Sequence, residues 1–220
     1  MKMVHEYSLL MRNRYATQGQ LSYIRAVGVR SDDVAELYIV RHAQVNVDFT
    51  VPSTEWQVSE DGIRKNRELV LSENWSGVHR IYHSPEPKAV VTADIISEMT
   101  GIPTGVMDEL HELRIPTIQP TDEFIRRVGA YLEGFPDPEF EEWAQAKDRI
   151  VGSVRRITNE ANGCSVAMVS HGRILTVLFS YLFNRRMTVK EWQSIRLPDL
   201  SVIELETWTV DRGFFSNVNV

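Results

Sequence analysis

Two periods alternate along the chain. Leu37-Tyr38-Ile39-Val40 and Val166-Ala167-Met168-Val169 are unbroken apolar runs, the pattern of strands covered on both faces. They predict strands over 37–41 and 164–169, with others over 78–83, near 104–108 and over Val202–Val210. Helical spacing fills the gaps. One helix follows Ser59-Glu60-Asp61-Gly62, with Ile63, Asn66, Arg67 and Val70 on one side. Another covers 86–100, with Val90, Ala93 and Ile96 on one face, and stops at Gly101 before Pro103. Residues after 113 are loop-like around Pro116 and Pro120, then helical from Thr121 to Leu132. Asp137-Pro138 suits the N-cap and first turn of a long helix to about Asn159. Its inner stripe is Phe140, Trp143, Lys147, Ile150, Val154 and Ile157. A helix over 172–183 follows, and Thr188-Val189-Lys190-Glu191 fits a capping box that opens one more.

Strands alternating with helices imply an α/β fold of three layers: a mainly parallel sheet with helices on both faces. Residues 1–34 precede this order and read as an N-terminal extension. Met3, Tyr7, Leu10, Met11 and Tyr15 lie at helical spacing, and Leu21–Val29 suits an extra strand. No repeat or linker divides residues 35–220, so one catalytic domain is expected there.

Composition narrows the function classes. The 220 residues carry a net charge of −6, against the basic face usual for nucleic-acid binding. No run of about 18 apolar residues is present, so no membrane span is expected. The N-terminus lacks an apolar signal core, which leaves the cytoplasm as the default compartment. The single cysteine, Cys164, excludes an internal disulfide and reads as a buried thiol in a strand.

The chemistry sits where apolar runs stop. Arg41-His42-Ala43 ends the first strand and Ser170-His171-Gly172-Arg173 follows the last parallel one. In open α/β sheets, ligands bind beyond the carboxyl ends of the strands, which would bring Arg41, His42 and His171 to one place. A histidine beside a fixed positive charge suits chemistry on a phosphate. Alone, Arg41-His42 reads better as a surface dipeptide. Ser84-Pro85-Glu86-Pro87-Lys88 joins strand 78–83 to a helix whose first N–H groups and Lys88 would face an anion. Alone, it is an ordinary strand-to-helix corner. Leu110-His111-Glu112 offers a carboxyl group to protonate a departing alkoxide, with a pKa raised by the anion beside it. His79 reads as a satisfied core residue, and His83 and His111 as neighbours of the site. Arg126-Arg127 reads as a solvated helix edge, or as a contact to a second anionic group.

Taken together and in order, these motifs resemble those of the histidine phosphatase superfamily, which includes the cofactor-dependent phosphoglycerate mutases. The family's Arg-His-Gly is similar to Arg41-His42-Ala43, and its Leu-Thr-x-x-Gly to Val58-Ser59-Glu60-Asp61-Gly62. Its Ser-Pro-x-x-Arg-Ala-x-x-Thr-Ala is similar to Ser84–Ala93, with Lys88 at the arginine position. Its Leu-x-Glu and Ser-His-Gly are similar to Leu110-His111-Glu112 and Ser170-His171-Gly172. The resemblance, over about 36–210, implies a phosphoglycerate mutase-like fold. It implies His42 as nucleophile, Arg41, Lys88 and His171 as the phosphoryl clamp, and Glu112 as proton donor. Catalytic residues are then His42, Glu112 and His171, with no cofactor and no metal.

Ala43 and Lys88 depart from the family pattern, and Val45 and Asp48 stand nearest the places of a Ser or Thr and an Asn, with Asn46 as a substitute for the latter after a loop shift. Lysine cannot make the bidentate fork of arginine, so weaker or differently oriented binding is expected. Three readings remain. A phosphomonoester hydrolase leads. A mutase-type phosphotransferase is disfavoured by the short segment 113–150. A catalytically weak relative would bind a phosphorylated ligand or protein partner. The expected partner is a small phosphorylated substrate or a phosphoprotein, and a homodimer stays open.

Overall fold

The computed structural model describes residues 34–117 and 121–215. The N-terminal helix and strand expected before residue 34 lie outside them. Element order is β1 (Glu36–Arg41), α1 (Glu60–Ser72), β2 (Val78–His83), α2 (Pro87–Thr100), β3 (Thr104–Val106), α3 (Asp122–Glu133), α4 (Trp143–Glu160), β4 (Ser165–Ser170), α5 (Gly172–Leu182), α6 (Val189–Ser194), β5 (Asp199–Glu204) and β6 (Thr209–Gly213). The six strands form one sheet in the order β3-β2-β4-β1-β5-β6. Its first four strands run parallel, and β5 and β6 add an antiparallel edge.

The sheet is covered on both faces at its centre, where β1 and β4 carry unbroken apolar runs, Leu37–Val40 and Val166–Val169, buried at every position. Leu37 and Ile39 point into the larger core, with Val166 and Met168, against α3, α4 and α5. Tyr38 and Val40 point the other way, with Ala167 and Val169, against α1 and α2. The α/β layering expected from the alternating periods is therefore the architecture found. Among the described residues, no helix is long and apolar enough to cross a membrane.

Some local expectations are corrected. The long helix begins at Trp143, not at Pro138. Asp137 does not cap it: its carboxylate accepts both arms of the Arg127 guanidinium, at 2.7 Å each, and the Glu139 N–H. Phe140 lies in the resulting turn, packed on Tyr131. Lys147 is half-exposed, and Ala146 takes its place on the buried stripe. Val202–Val210 is two strands, because the chain reverses at residues 205–208, where Thr207 bonds Glu204 and Trp208 has φ of 60°. On α1 the buried line is Gly62, Asn66 and Val70, with Arg67 exposed. His79 is exposed rather than in the core, and Cys164 is half-buried just before β4. The capping box on Thr188 and Glu191 is present as expected.

Candidate active site

Adjacent parallel strands deliver the two histidines. Arg41 is in register with Ser170, and the His42 N–H donates to Ser170 O at 3.0 Å. β1 and β4 thus end at one level, and the rings of His42 and His171 lie 5.1 Å apart. β2, on the far side of β4, ends alongside: the Ser84 N–H donates to Val169 O at 3.1 Å. The Pro87 start of α2 follows and puts Lys88, almost fully buried, on the first turn. α1 fixes the loop after His42. Ser59 caps the helix through the Gly62 N–H, and the Ser59 N–H donates to Gln44 O. Gly62 packs so close that a Cβ would stand 2.3 Å from Gln44 O.

His42 is held in one tautomer. Its Nδ1 lies 2.8 Å from Ala43 O. A carbonyl only accepts, so Nδ1 carries the hydrogen and Nε2 the lone pair. Burial, then His171, Lys88 and Arg41, hold its pKa well below the usual histidine range. The ring is neutral at pH 7 with Nε2 free to attack. His171 is fully buried and held low by burial first, then Lys88, Arg173, His111 and Arg41. Neither ring nitrogen has a hydrogen-bond partner.

The cations have different settings. Arg41 donates through Nη1 to Ile195 O, while its buried Nε has no partner. Burial pushes it down to about 10, opposed in part by Glu112. Lys88 Nζ donates to Ser53 O at 2.6 Å and pairs with Glu86 at 2.7 Å. Buried donors without protein partners, set at strand ends, suit an anion with several oxygens.

Glu112 departs from expectation. Burial alone would raise its pKa. Arg173, the N–H groups of Leu113 and Ile174 and then Lys88 outweigh it, and the pKa lies below the usual carboxylate range. Its carboxylate takes the N–H groups of Arg173 and Ile174 on the first turn of α5, at 3.3 and 2.9 Å. It is a largely covered anion, 11% exposed, at a helix N-terminus.

The structure thus gathers Arg41, His42, Lys88, Glu112 and His171 in one place. Two residues there were given no role from sequence. Arg173 pairs with Glu112 at 3.3 Å and lies over the Phe124 ring. Glu86 is buried between Lys88, His171 and the Glu112 N–H. Its signal was available: proline at the first helical position leaves residue 86 at the N-cap, facing the strand ends. Other candidates stand apart. Asn46 and Asp48 are exposed, and Asp48 bonds Thr50 within its own turn. Arg126 pairs with Glu123 on a solvated edge, whereas Arg127 is mostly covered, paired with Asp137 and Glu139 and lying over the Phe140 ring. His111 bonds the Glu112 carbonyl and Arg114, beside the site. Among the described residues, no three His, Cys, Asp or Glu side chains are gathered to hold a metal ion.

Known proteins share this arrangement at the level of fold. YhfR of Bacillus stearothermophilus has a TM-score of 0.66 at 20% identity, over 84% of this chain and 98% of that one. A phosphoserine phosphatase of Entamoeba histolytica, solved with 3-phosphoglyceric acid, gives 0.67 at 14%, over 83% and 98%. A phosphoglycerate mutase of Bacillus anthracis gives 0.62 at 17%, over 81% and 91%. No curated protein matches the chain in sequence. The model of the histidine phosphatase superfamily (branch 1) matches residues 37–219, from the first residues of β1 to the end of the sheet and beyond. On a match of that extent, the chain belongs to the histidine phosphatase superfamily.

Proposed function

We propose that this chain is a metal-independent phosphomonoester hydrolase that works through a phosphohistidine on His42. The observation that carries the reading is the fixed tautomer of His42: Nδ1 bonded to Ala43 O, Nε2 free, in a buried setting rich in cations. In the first step Nε2 forms a bond to phosphorus while the ester P–O bond breaks. Glu112 gives its proton to the departing oxygen. In the second step water attacks phosphorus, the P–N bond breaks, the electron pair returns to Nε2 and the water proton goes to Glu112. Arg41, Lys88 and His171 hold the phosphoryl oxygens, and the two cations offset their charge while neutral His171 serves as a hydrogen-bond donor.

The lowered pKa of Glu112 adds a condition. Ionised at rest, it suits the base of the second step. A bound phosphoryl dianion raises its proton affinity, and a substrate monoanion brings the proton needed for the first. Activity is then favoured on the acidic side. The substrate is a small phosphorylated molecule or a phosphoprotein.

One observation favours a catalytically weak, ligand-binding relative: Lys88 is already engaged by Glu86 and Ser53 O. A panel of phosphomonoesters from about pH 5 to about pH 8 with EDTA separates the readings. Wild type should turn over and yield an acid-labile phosphoenzyme. His42→Ala should lose the label, and its turnover should fall by roughly 10³-fold or more. A wild type that is inert and never labels leaves only the binding reading.

A further inference from the structure

We infer that Glu86 is a positioning residue that occupies Lys88 between turnovers and thereby weakens the site's hold on phosphate. The inference rests on the phosphatase reading above.

Glu86 stands at the N-cap position of α2, yet its side chain caps nothing. It is turned into the site and buried, with 7% of its surface exposed. Oε2 is 2.7 Å from Lys88 Nζ. Oε1 accepts the Glu112 N–H at 2.8 Å and lies 3.4 Å from His171 Nε2. A carboxylate thus sits among groups suited to hold another anion. Removing charges from water is costly, so a buried carboxylate at such a place calls for a reason beyond packing.

The charges suggest one. Arg41, Lys88 and Arg173 bring three positive charges, and Glu86 and Glu112 two negative ones, with both histidines neutral. Without Glu86 the cluster would carry twice the net positive charge. A hydrolase must release inorganic phosphate after every turnover. A site complementary to the ground-state dianion gains affinity for substrate and product alike, without gaining rate.

Lys88 is the group through which Glu86 can act. An ammonium has three donors on a flexible stem. One goes to Ser53 O; Glu86 Oε2 holds the ammonium by charge at 2.7 Å without taking a hydrogen bond, so donors remain for a phosphoryl oxygen. When phosphate enters, Lys88 turns further toward it. When phosphate leaves, Glu86 takes Lys88 back. Arginine, with a rigid fork, exchanges partners less readily.

The test compares wild type, Glu86→Gln, Lys88→Ala and the double variant for inhibition by inorganic phosphate, with KM and kcat on an aryl phosphate. Gln keeps an oxygen for the Glu112 N–H and removes the charge. In Glu86→Gln, phosphate should inhibit about tenfold more tightly and KM should fall with it, while kcat does not rise. In the Lys88→Ala background that gain should vanish, because the two residues act as a pair. Glu86→Met, apolar and of similar size, should tighten inhibition in the same direction. A folded Glu86→Gln or Glu86→Met with unchanged or weaker phosphate inhibition overturns the inference, as does an equal gain without Lys88. A purely structural Glu86 would lower thermal stability and weaken phosphate inhibition. A wild type that neither turns over nor binds phosphate sinks the phosphatase reading instead.

Discussion

The Arg41 guanidinium lies against Gly172, so close that a Cβ there would stand 2.8 Å from Cζ and 2.9 Å from Nε and Nη2. The glycine that opens α5 therefore makes room for an arginine from the neighbouring strand. Gly172→Ala should push Arg41 off its place while leaving the helix intact. We expect kcat/KM to drop by about tenfold or more on an aryl phosphate, with Tm shifted by only a few degrees. Unchanged kcat/KM in this variant would mean that Arg41 does not touch the phosphoryl group.

Glu112→Gln removes the proposed proton carrier but keeps an oxygen for the α5 N–H groups. The loss should depend on the leaving group. An alkyl phosphate needs its oxygen protonated and should lose roughly 10²- to 10⁴-fold in kcat/KM, whereas a nitrophenyl ester should lose far less. Equal losses on both substrates would remove Glu112 from the role of acid.

Arg173 leads the groups that hold Glu112 below the usual carboxylate range. Arg173→Met keeps apolar contact with Phe124 and deletes the charge. The Glu112 pKa must then rise. If protonated Glu112 starts the reaction, the alkaline limb of kcat/KM moves to higher pH. A limb that stays put, or moves lower, contradicts the assignment.

Stability should depend on the two buried histidines. Their folded pKa values lie well below the unfolded one, with burial the leading cause. As pH falls below about 6.5 the unfolded chain takes up protons that the folded site refuses. Stability is therefore full above that pH and lost below it, by about 1.4 kcal/mol per pH unit for each histidine. Urea midpoints down to about pH 5 would read this slope, and His42→Asn should flatten it. A wild-type midpoint independent of pH there would mean that the rings are charged when folded.

The motif residues were legible because each stands at a break in a periodic pattern. Arg41 and His42 end an unalternating run, His171 ends another, and Lys88 follows a proline. The long helix was misplaced because Asp137-Pro138 carries a local cap signal, and a distant arginine claims the carboxylate. The hairpin of β5 and β6 was missed because Glu204 to Thr209 has the polarity of an exposed strand as well as of a turn.

By itself the sequence determined the layering, the succession of parallel strands and their connecting helices and the residues at the parallel strand ends. Those follow from which positions are apolar, and burial of apolar surface is a property each segment carries with it. Only the tertiary structure decided how those ends are equipped. The tautomer of His42 depends on a carbonyl in its own loop, and the ionisation of Glu112 on Arg173 and the start of α5. The presence of Glu86 beside Lys88 and His171 depends on strands β2 and β4 lying side by side. Electrostatic energies vary with distance and with the water removed between groups, and neither is written in the order of residues.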